Sequence, residues 1–396
     1  MSDLLSPPEI FSHRTAKLRQ SGIRSASARC NAIGGINLGQ GVCDIPTDNQ
    51  IKQAASAAIF ANKNLYAPHE GIPELREKLA AKIAQFNRVK VNPMTEILVS
   101  HGATAAYVCA AKVLFNPGDE VILFEPFYGY HRHVLELEGI STRSVPIAAE
   151  NFVLDFERLA AAITPKTRGI VLCTPCNPSG KVFSQEELNQ IGELAEQHNL
   201  YIITDEIYEY ITYPGYQHIS IASLQNFRER TVTISGFSKT YNITGWRLGY
   251  AYGPATIVEK MALVHDLLYI CPPTPLQHAM LAALELGPDY YDEMRSQFLR
   301  KRELLVSGLQ QLGFTMQVPQ GAYYILADFQ KLGFADDSVA ASQLLDRAKV
   351  ATVPGSAFYQ QSAEGKKQLR FCFALAEEKL QMALQQLTTC LEIVKY

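Results

Sequence analysis

The sequence predicts an α/β fold, with a mostly parallel sheet in a large central unit and a smaller α+β unit after it. From about residue 95 to 255, short β-branched runs alternate with helical patterns, the signature of strand–helix–strand units. From about residue 290 onward, long helical patterns alternate with YYILADF and QLRFCFAL, which reads as a separate, smaller layer. At 396 residues the chain has room for two or three domains, each able to bury a core.

Residues 1–50 contain little periodicity and end in the glycine-rich INLGQG. Strands are predicted at 97–100, 121–124, 169–173, 200–204, 231–235 and 248–252, with NPGDE at 116–120 a turn feeding the second. Residues 184–198 read as a helix. Ser184 and Glu187 fit a capping box, and Leu188, Ile191, Leu194 and Ala195 form one apolar stripe.

Composition excludes several classes. Apolar residues make up 47% and charged ones 19%, so the chain is globular rather than disordered. A net charge of -3 gives no electrostatic reason to expect nucleic acid, and Arg300-Lys301-Arg302 reads as a solvated helix face. No apolar run approaches the roughly 18 residues of a membrane span. MSDLLSPPEI lacks the layout of a secretory signal, so a cytoplasmic location is expected. Of eight cysteines only Cys173 and Cys176 have C-x-x-C spacing. A structural zinc site wants a second such pair or a histidine pair, and His131 and His133, two apart, diverge on a helix. No metal is expected. Cys109 and Cys173 sit in apolar runs and read as small core residues.

The loops leaving the strand ends carry the chemistry, because sheets of this kind bind ligands there. Gly102-Ala103-Thr104 opens a helix whose free N–H groups suit a phosphate, although a plain capped helix start looks the same. Asp205 ends a strand, with Tyr208 three residues on, and reads as a helix cap or a ligand. Lys239 sits in SGFSKTYNITGWRLGY. That apolar, aromatic setting disfavours its charge, the condition for an amine nucleophile. In CTPCNPSGK, Pro175 and Pro178 fix φ on both sides of the Asn177 amide. A phosphate cradle completed by Ser238 and Arg247, a nucleophilic lysine and a strand-end carboxylate together match the needs of pyridoxal phosphate.

On these residues the chain resembles the fold type I pyridoxal-phosphate enzymes, specifically the class I/II aminotransferases of the aspartate aminotransferase superfamily. INLGQG, LYAPHEGIPELREKLA, SHGAT, EPFY, TPCNPSGKVFS, ITDEIYE, SGFSKTYNITGWRLGY, PQGAYYIL, VPGSAF and LRFCFA follow the family's order and spacing over nearly the whole chain. The resemblance implies a seven-stranded, mostly parallel sheet in a large domain at 51–288. It implies a smaller α+β domain built from both chain ends, 1–50 and 289–396.

The resemblance also implies roles. Lys239 is the Schiff-base lysine and proton shuttle, Asp205 pairs with the pyridine nitrogen, and Asn177 and Tyr208 meet the ring's phenolic oxygen. Gly102, Ala103, Thr104, Ser238 and Arg247 hold the phosphate, and Tyr128 stacks on the ring. Gly236 replaces a phosphate-binding serine of some relatives, leaving open whether Ser235 compensates. Tyr66 reaches the phosphate of a neighbouring subunit, which implies a homodimer. Arg370 clamps the substrate α-carboxylate, with Gly39 and Asn177 close by.

The expected partners are thus small amino acids and 2-oxo acids, without nucleic acid or membrane. Thr104 stands where aspartate-preferring relatives of one subgroup carry lysine, Val42-Cys43 replaces the usual Phe-Pro, and Tyr359 extends VPGSAF. With Tyr128, Tyr323 and Tyr324 these departures lean toward neutral, aromatic or sulfur-containing substrates. An aspartate-preferring enzyme, a β-lyase or an aminocyclopropane-type synthase on the same scaffold remain alternatives. A DNA-binding regulator would need a basic module ahead of the catalytic pattern, which begins near residue 36.

Overall fold

A computed structural model of the chain describes Thr15 and residues 22–149, 151–224, 226–360 and 363–394. In chain order, α1 (Gly22–Ala32), β1 (Ile36–Asn37), α2 (Asn49–Phe60) and α3 (Pro73–Lys82) lead to β2 (Ile97–Ser100). Helices and strands then alternate: α4 (Gly102–Leu114), β3 (Glu120–Glu125), α5 (Gly129–Leu137), β4 (Ser141–Pro146), α6 (Phe156–Ala162), β5 (Thr167–Cys173), α7 (Gln185–Gln197) and β6 (Tyr201–Asp205). Next come β7 (Thr231–Gly236), β8 (Gly249–Tyr252), α8 (Ala255–Tyr269), α9 (Thr274–Ala283) and α10 (Pro288–Gln311). The last elements are β9 (Tyr324–Asp328), α11 (Asp337–Ala348), β10 (Val350–Ala351), β11 (Val353–Pro354), β12 (Gln368–Cys372) and α12 (Glu377–Val394).

Seven strands form one sheet in the order β2-β8-β7-β6-β5-β3-β4. β8 runs antiparallel to both neighbours, and the remaining pairs are parallel. This is the seven-stranded α/β architecture that the resemblance implied. Strand alternation sends Val121, Leu123, Val171 and Ile203 to one face, against Ala106 and Cys109 of α4 and Met261 of α8. Ile122, Phe124, Ile170, Leu172 and Ile202 face the other side, against Leu159 of α6 and Leu188, Ile191 and Ala195 of α7. Both faces are covered, which is why these strands read as continuous apolar runs.

The six predicted strands are present, with ends shifted by no more than two residues. β4 is the strand of this sheet that pattern reading misses. It is an edge strand, STRSVP, whose residues are mostly exposed or half-buried, so it carries no apolar run. α7 obeys its sequence signal: Glu187 N donates to Ser184 Oγ at 3.2 Å, and Ser184 N donates to Glu187 Oε2 at 2.9 Å.

Two expectations need correction. α1 lies within the stretch that showed little periodicity. The run Arg300-Lys301-Arg302 is not a solvated face: Lys301 is buried beside Phe298, and Arg302 stacks 4.3 Å from the Tyr213 ring while donating to Pro319 O at 2.9 Å. Only Arg300 of the three points clearly outward, because α10 turns its neighbours toward the second core.

That core gathers Phe298, Leu305, Phe314, Tyr323, Phe371 and Leu380 with Leu38 from the other end of the chain. β12 runs between β11 and β9, antiparallel to each, and β1 pairs in parallel with β10 through Ile36 and Val350. The amino-terminal residues read for a signal lie outside the described residues. No helix among the described residues is long and apolar enough to cross a membrane.

Candidate active site

A cavity of about 600 Å³ opens at the carboxyl ends of the parallel strands. Ala103, Thr104, Tyr128, Asn177, Asp205, Tyr208, Ser238, Lys239, Arg247 and Arg370, all singled out from sequence, line it. The two glycines of that set lie behind the wall. Gly102 sits against Arg247, and Gly39 offers its carbonyl to Arg370. Tyr66 is different: it is 81% exposed and lies away from this protomer's cavity.

Asp205 ends β6, and no α-helix follows it, so the helix-cap reading falls. One carboxylate oxygen accepts from Ile207 N at 3.1 Å, and the other meets His131 Nε2 at 2.9 Å. His131 comes from α5 and packs on the Tyr107 ring. Sequence reasoning weighed it only as a metal ligand; a histidine at the start of a helix after EPFY carries no local sign of its partner. Tyr208 is buried, its hydroxyl 3.0 Å from that of Tyr324, and burial keeps its phenol protonated well above the ordinary range.

Lys239 Nζ donates to Gly41 O at 3.0 Å. Burial lowers its pKa to about 8; Arg370 and Arg247 add to the effect, while Cys372 and Asp205 oppose it. Arg370 is buried on β12 and spans the cavity floor. It donates to Asn177 Oδ1 at 2.8 Å and to Gly39 O at 2.6 Å, with its guanidinium 4.4 Å from the Tyr324 ring centre. Its Nε is buried with no hydrogen-bond partner in the protein.

α4 starts without any side-chain cap: His101 is its N-cap residue and makes no capping bond. The capped-start reading of Gly102–Thr104 therefore gives way to an uncapped helix start whose Ala103 and Thr104 line the cavity. Gly102 has φ +73°, and a Cβ there would stand 2.5 Å from Arg247 Nη2, so glycine alone lets the guanidinium lie on the turn. Ser235 does not replace the hydroxyl missing at Gly236, since its Oγ donates to Glu209 at 2.7 Å.

Of the residues behind the substrate lean, Tyr128, Tyr324 and Val42 line the cavity, while Tyr323, Tyr359 and Cys43 stand outside it. Tyr323 instead donates to Gly41 O at 3.2 Å, and Tyr359 to Gln368 Oε1 at 2.8 Å. Cys173, expected in the core, lines the cavity, and Cys176 lies buried beneath. Both thiols are free. Each donates to a backbone carbonyl, Cys173 Sγ to Pro175 O at 3.6 Å and Cys176 Sγ to Pro126 O at 3.7 Å. Arg24, Ser27 and Asn31 of α1 reach the cavity with Gln40 and Tyr130, and none was predicted. Their signal lay in tertiary contact rather than in motif.

The lining holds four cationic residues, Arg24, Lys239, Arg247 and Arg370, against the single carboxylate of Asp205. Such a cavity selects a dianionic or trianionic ligand set. A phosphate at the α4 turn, a ring nitrogen at Asp205 and a carbonyl near a lysine amine that burial makes easier to deprotonate fit this donor set, so the residues present suit pyridoxal phosphate.

Comparison with known proteins agrees. The family model for aminotransferase class I and II matches residues 33–387. An aspartate aminotransferase of Pyrococcus abyssi is 36% identical over 89% of this chain and 90% of its own length. The aromatic-amino-acid aminotransferase 2 of Thermococcus litoralis is 35% identical over 96% and 98%. The solved N-succinyldiaminopimelate aminotransferase of Mycobacterium tuberculosis superposes with a TM-score of 0.93 at 34% identity, covering 96% of this chain and all of that one. Cavity and comparison together assign the chain to the class I and II aminotransferases, enzymes that depend on pyridoxal 5'-phosphate.

Proposed function

We propose that this aminotransferase moves an amino group between a neutral, aromatic or sulfur-containing L-amino acid and a 2-oxo acid, in a ping-pong sequence. The observation that carries the residue roles is the convergence of Lys239, Asp205, Arg247 and Arg370 on one cavity from separate stretches of chain. Pyridoxal phosphate, when bound, supplies the aldehyde that takes up the amino group and a ring that withdraws electrons from the α-carbon. The N–H groups of Gly102, Ala103 and Thr104, the Ser238 hydroxyl and the Arg247 fork hold the phosphate. Asp205, oriented by His131, presents negative charge to the pyridine nitrogen. Asn177 and Tyr208 donate to the phenolic oxygen, and Tyr128 flanks the ring.

Lys239 Nζ would hold the resting cofactor and, once the incoming substrate amine has displaced it, would be the free base that takes the α-proton and the acid that gives it back. One amine serves as base and acid, which works best with a pKa near working pH, and burial has brought it to about 8. The Arg370 fork, aimed by Asn177 and Gly39, binds the α-carboxylate and fixes the α-carbon beside Nζ.

Tyr128, Tyr130 and Tyr324 on the cavity wall support the aromatic lean. A second reading, a dicarboxylic substrate, is favoured by Arg24. It reaches the cavity from α1 and brings a permanently charged guanidinium that a second carboxylate could use. The test is a spectral screen of which amino acids bleach the bound cofactor's visible band and which 2-oxo acids restore it. Phenylalanine and methionine are expected to outpace aspartate. A wide margin for aspartate overturns the lean, and Arg24→Gln should then cut the dicarboxylic-to-neutral kcat/KM ratio about tenfold. Pyruvate and ammonia released without an oxo acid would mark a β-lyase instead.

The working unit in this reading is a homodimer in which Tyr66 serves the neighbouring phosphate. Support comes from an apolar surface in which Phe60, Leu65, Tyr66 and Leu267 are each more than 80% exposed. The lobes are proposed to divide as 51–288 against 1–50 with 289–396, supported by the pairing of Ile36 with Val350.

A further inference from the structure

Below the phosphate turn lies a buried histidine that the mechanism above does not use. α8 turns Val258, Met261, Ala262 and His265 inward, the spacing of a helix face that packs on α4. The first three are apolar. His265 is fully buried at the end of the same stripe, where an aliphatic side chain would fill space without a polar group to satisfy.

Its Nε2 accepts the backbone N–H of His101 at 3.3 Å. His101 follows Ser100, the last paired residue of β2, and is the N-cap of α4. We propose that His265 is a positioning residue for the cofactor phosphate: by holding the His101 N–H it fixes the turn 101–104, whose own N–H groups then face the phosphate. This rests on the reading of that turn as the phosphate site.

Three constraints meet on the turn. Arg247 lies over Gly102 on the cavity side. β8 closes from behind, where a Cβ on Gly249 would stand 2.4 Å from Ala103 N. His265 holds the third side. The rings of His101 and His265 both pack on Tyr269, with centroids 5.5 and 5.2 Å away, so the last turn of α8 grips the start of α4 through two contacts. An acceptor must be neutral imidazole, and burial, with His101 and His69 nearby, lowers the His265 pKa to about 4. The accepting nitrogen being Nε2, the proton sits on Nδ1, on the side of the His69 backbone, which works weakly against the lowering.

The test compares two ligands on the full chain, pyridoxal phosphate and pyridoxal, which lacks the phosphate. Dissociation constants are measured for the parent protein and for H265F, H265L and H265Q, with urea midpoints reporting on folding. H265F and H265L both remove the acceptor, so a folding failure of one leaves the other. H265Q can return an acceptor oxygen to the Nε2 position. The expected result is about tenfold weaker pyridoxal phosphate binding for the first two, pyridoxal changed by less than about twofold, and most of the loss recovered in H265Q. Equal weakening of both ligands would make His265 a structural residue only, and unchanged pyridoxal phosphate binding would also overturn the proposal. If the parent protein bound both ligands alike, the phosphate reading of the turn would fall first, which separates the two failures.

Discussion

Lys239 is the residue on which the proposed chemistry turns, and its environment gives it measurable behaviour. Lys239→Ala should abolish the visible band of the bound cofactor and slow the half-reaction by about 10⁴-fold, read by stopped-flow absorbance. A variant that kept both would refute the assignment. The lowered pKa adds a pH signature in the cofactor-free chain. The folded amine titrates at about 8, below the 10.5 of an exposed lysine. Between those values the unfolded chain holds a proton that the folded chain lacks, so stability rises with pH across that window. Urea midpoints between pH 8 and 10.5 should show this rise, and Lys239→Met should flatten it.

At the scale of the element, the segment after β6 is tied to the protein behind the cavity. In DEIYEY, Asp205 and Tyr208 face the cavity, while Glu206 and Glu209 turn into a buried polar network behind it. Glu206 accepts from Thr204 at 3.1 Å and Ser220 at 2.9 Å, and lies 3.0 Å from His218. Glu209 pairs with Lys82 at 2.6 Å and accepts from Asn87, Ser235 and Tyr250. Burial opposes the Glu209 charge, but Lys82, His218 and Asn87 outweigh it and hold its carboxyl below the ordinary value. Glu206, Glu209 and His218 have the side-chain types of a metal cluster, yet their oxygens are already committed to protein donors. Lys82→Met should leave Glu209 buried without its cation and destabilise the protein by about 3–5 kcal/mol in urea. Lys82→Met with Glu209→Gln should recover much of that. A single variant of unchanged stability would show that the pair does not hold the segment.

For the whole molecule, the exposed apolar surface is the feature a lone protomer does not explain. Leu65 O accepts from Thr274 at 2.6 Å, tying the Leu65–Tyr66 loop to the start of α9. His69 lies close enough to His265 to lower its pKa, which brings that loop beside α8 and its exposed Leu267. The proposed dimer predicts that Leu267→Glu halves the mass seen by light scattering and weakens cofactor binding, because Tyr66 of the neighbour is withdrawn. Undiminished mass with Leu267→Glu would count against this surface as the interface.

The strands, the α7 capping box and the glycine turn that opens α4 were legible in sequence because each is written in a few consecutive residues. Apolar runs mark strands covered on both faces, and glycine, hydroxyl and carboxylate residues mark the loops at their ends. β4 escaped because an edge strand with no apolar run has no such signature. Lys239, Asp205, Asn177 and Arg370 could be named from their motifs, but not the geometry joining them. The bond from Arg370 to Asn177 spans 193 residues of chain. His131 on Asp205, Arg24 at the cavity mouth and His265 under the phosphate turn belong to no motif, since each acquires its partner only when distant helices pack. The sequence by itself determined the fold class, the family and the candidate residues that the cavity gathers. Tertiary structure alone decided which neighbours tune them, because pKa and orientation follow from burial and contact, and local periodicity encodes neither.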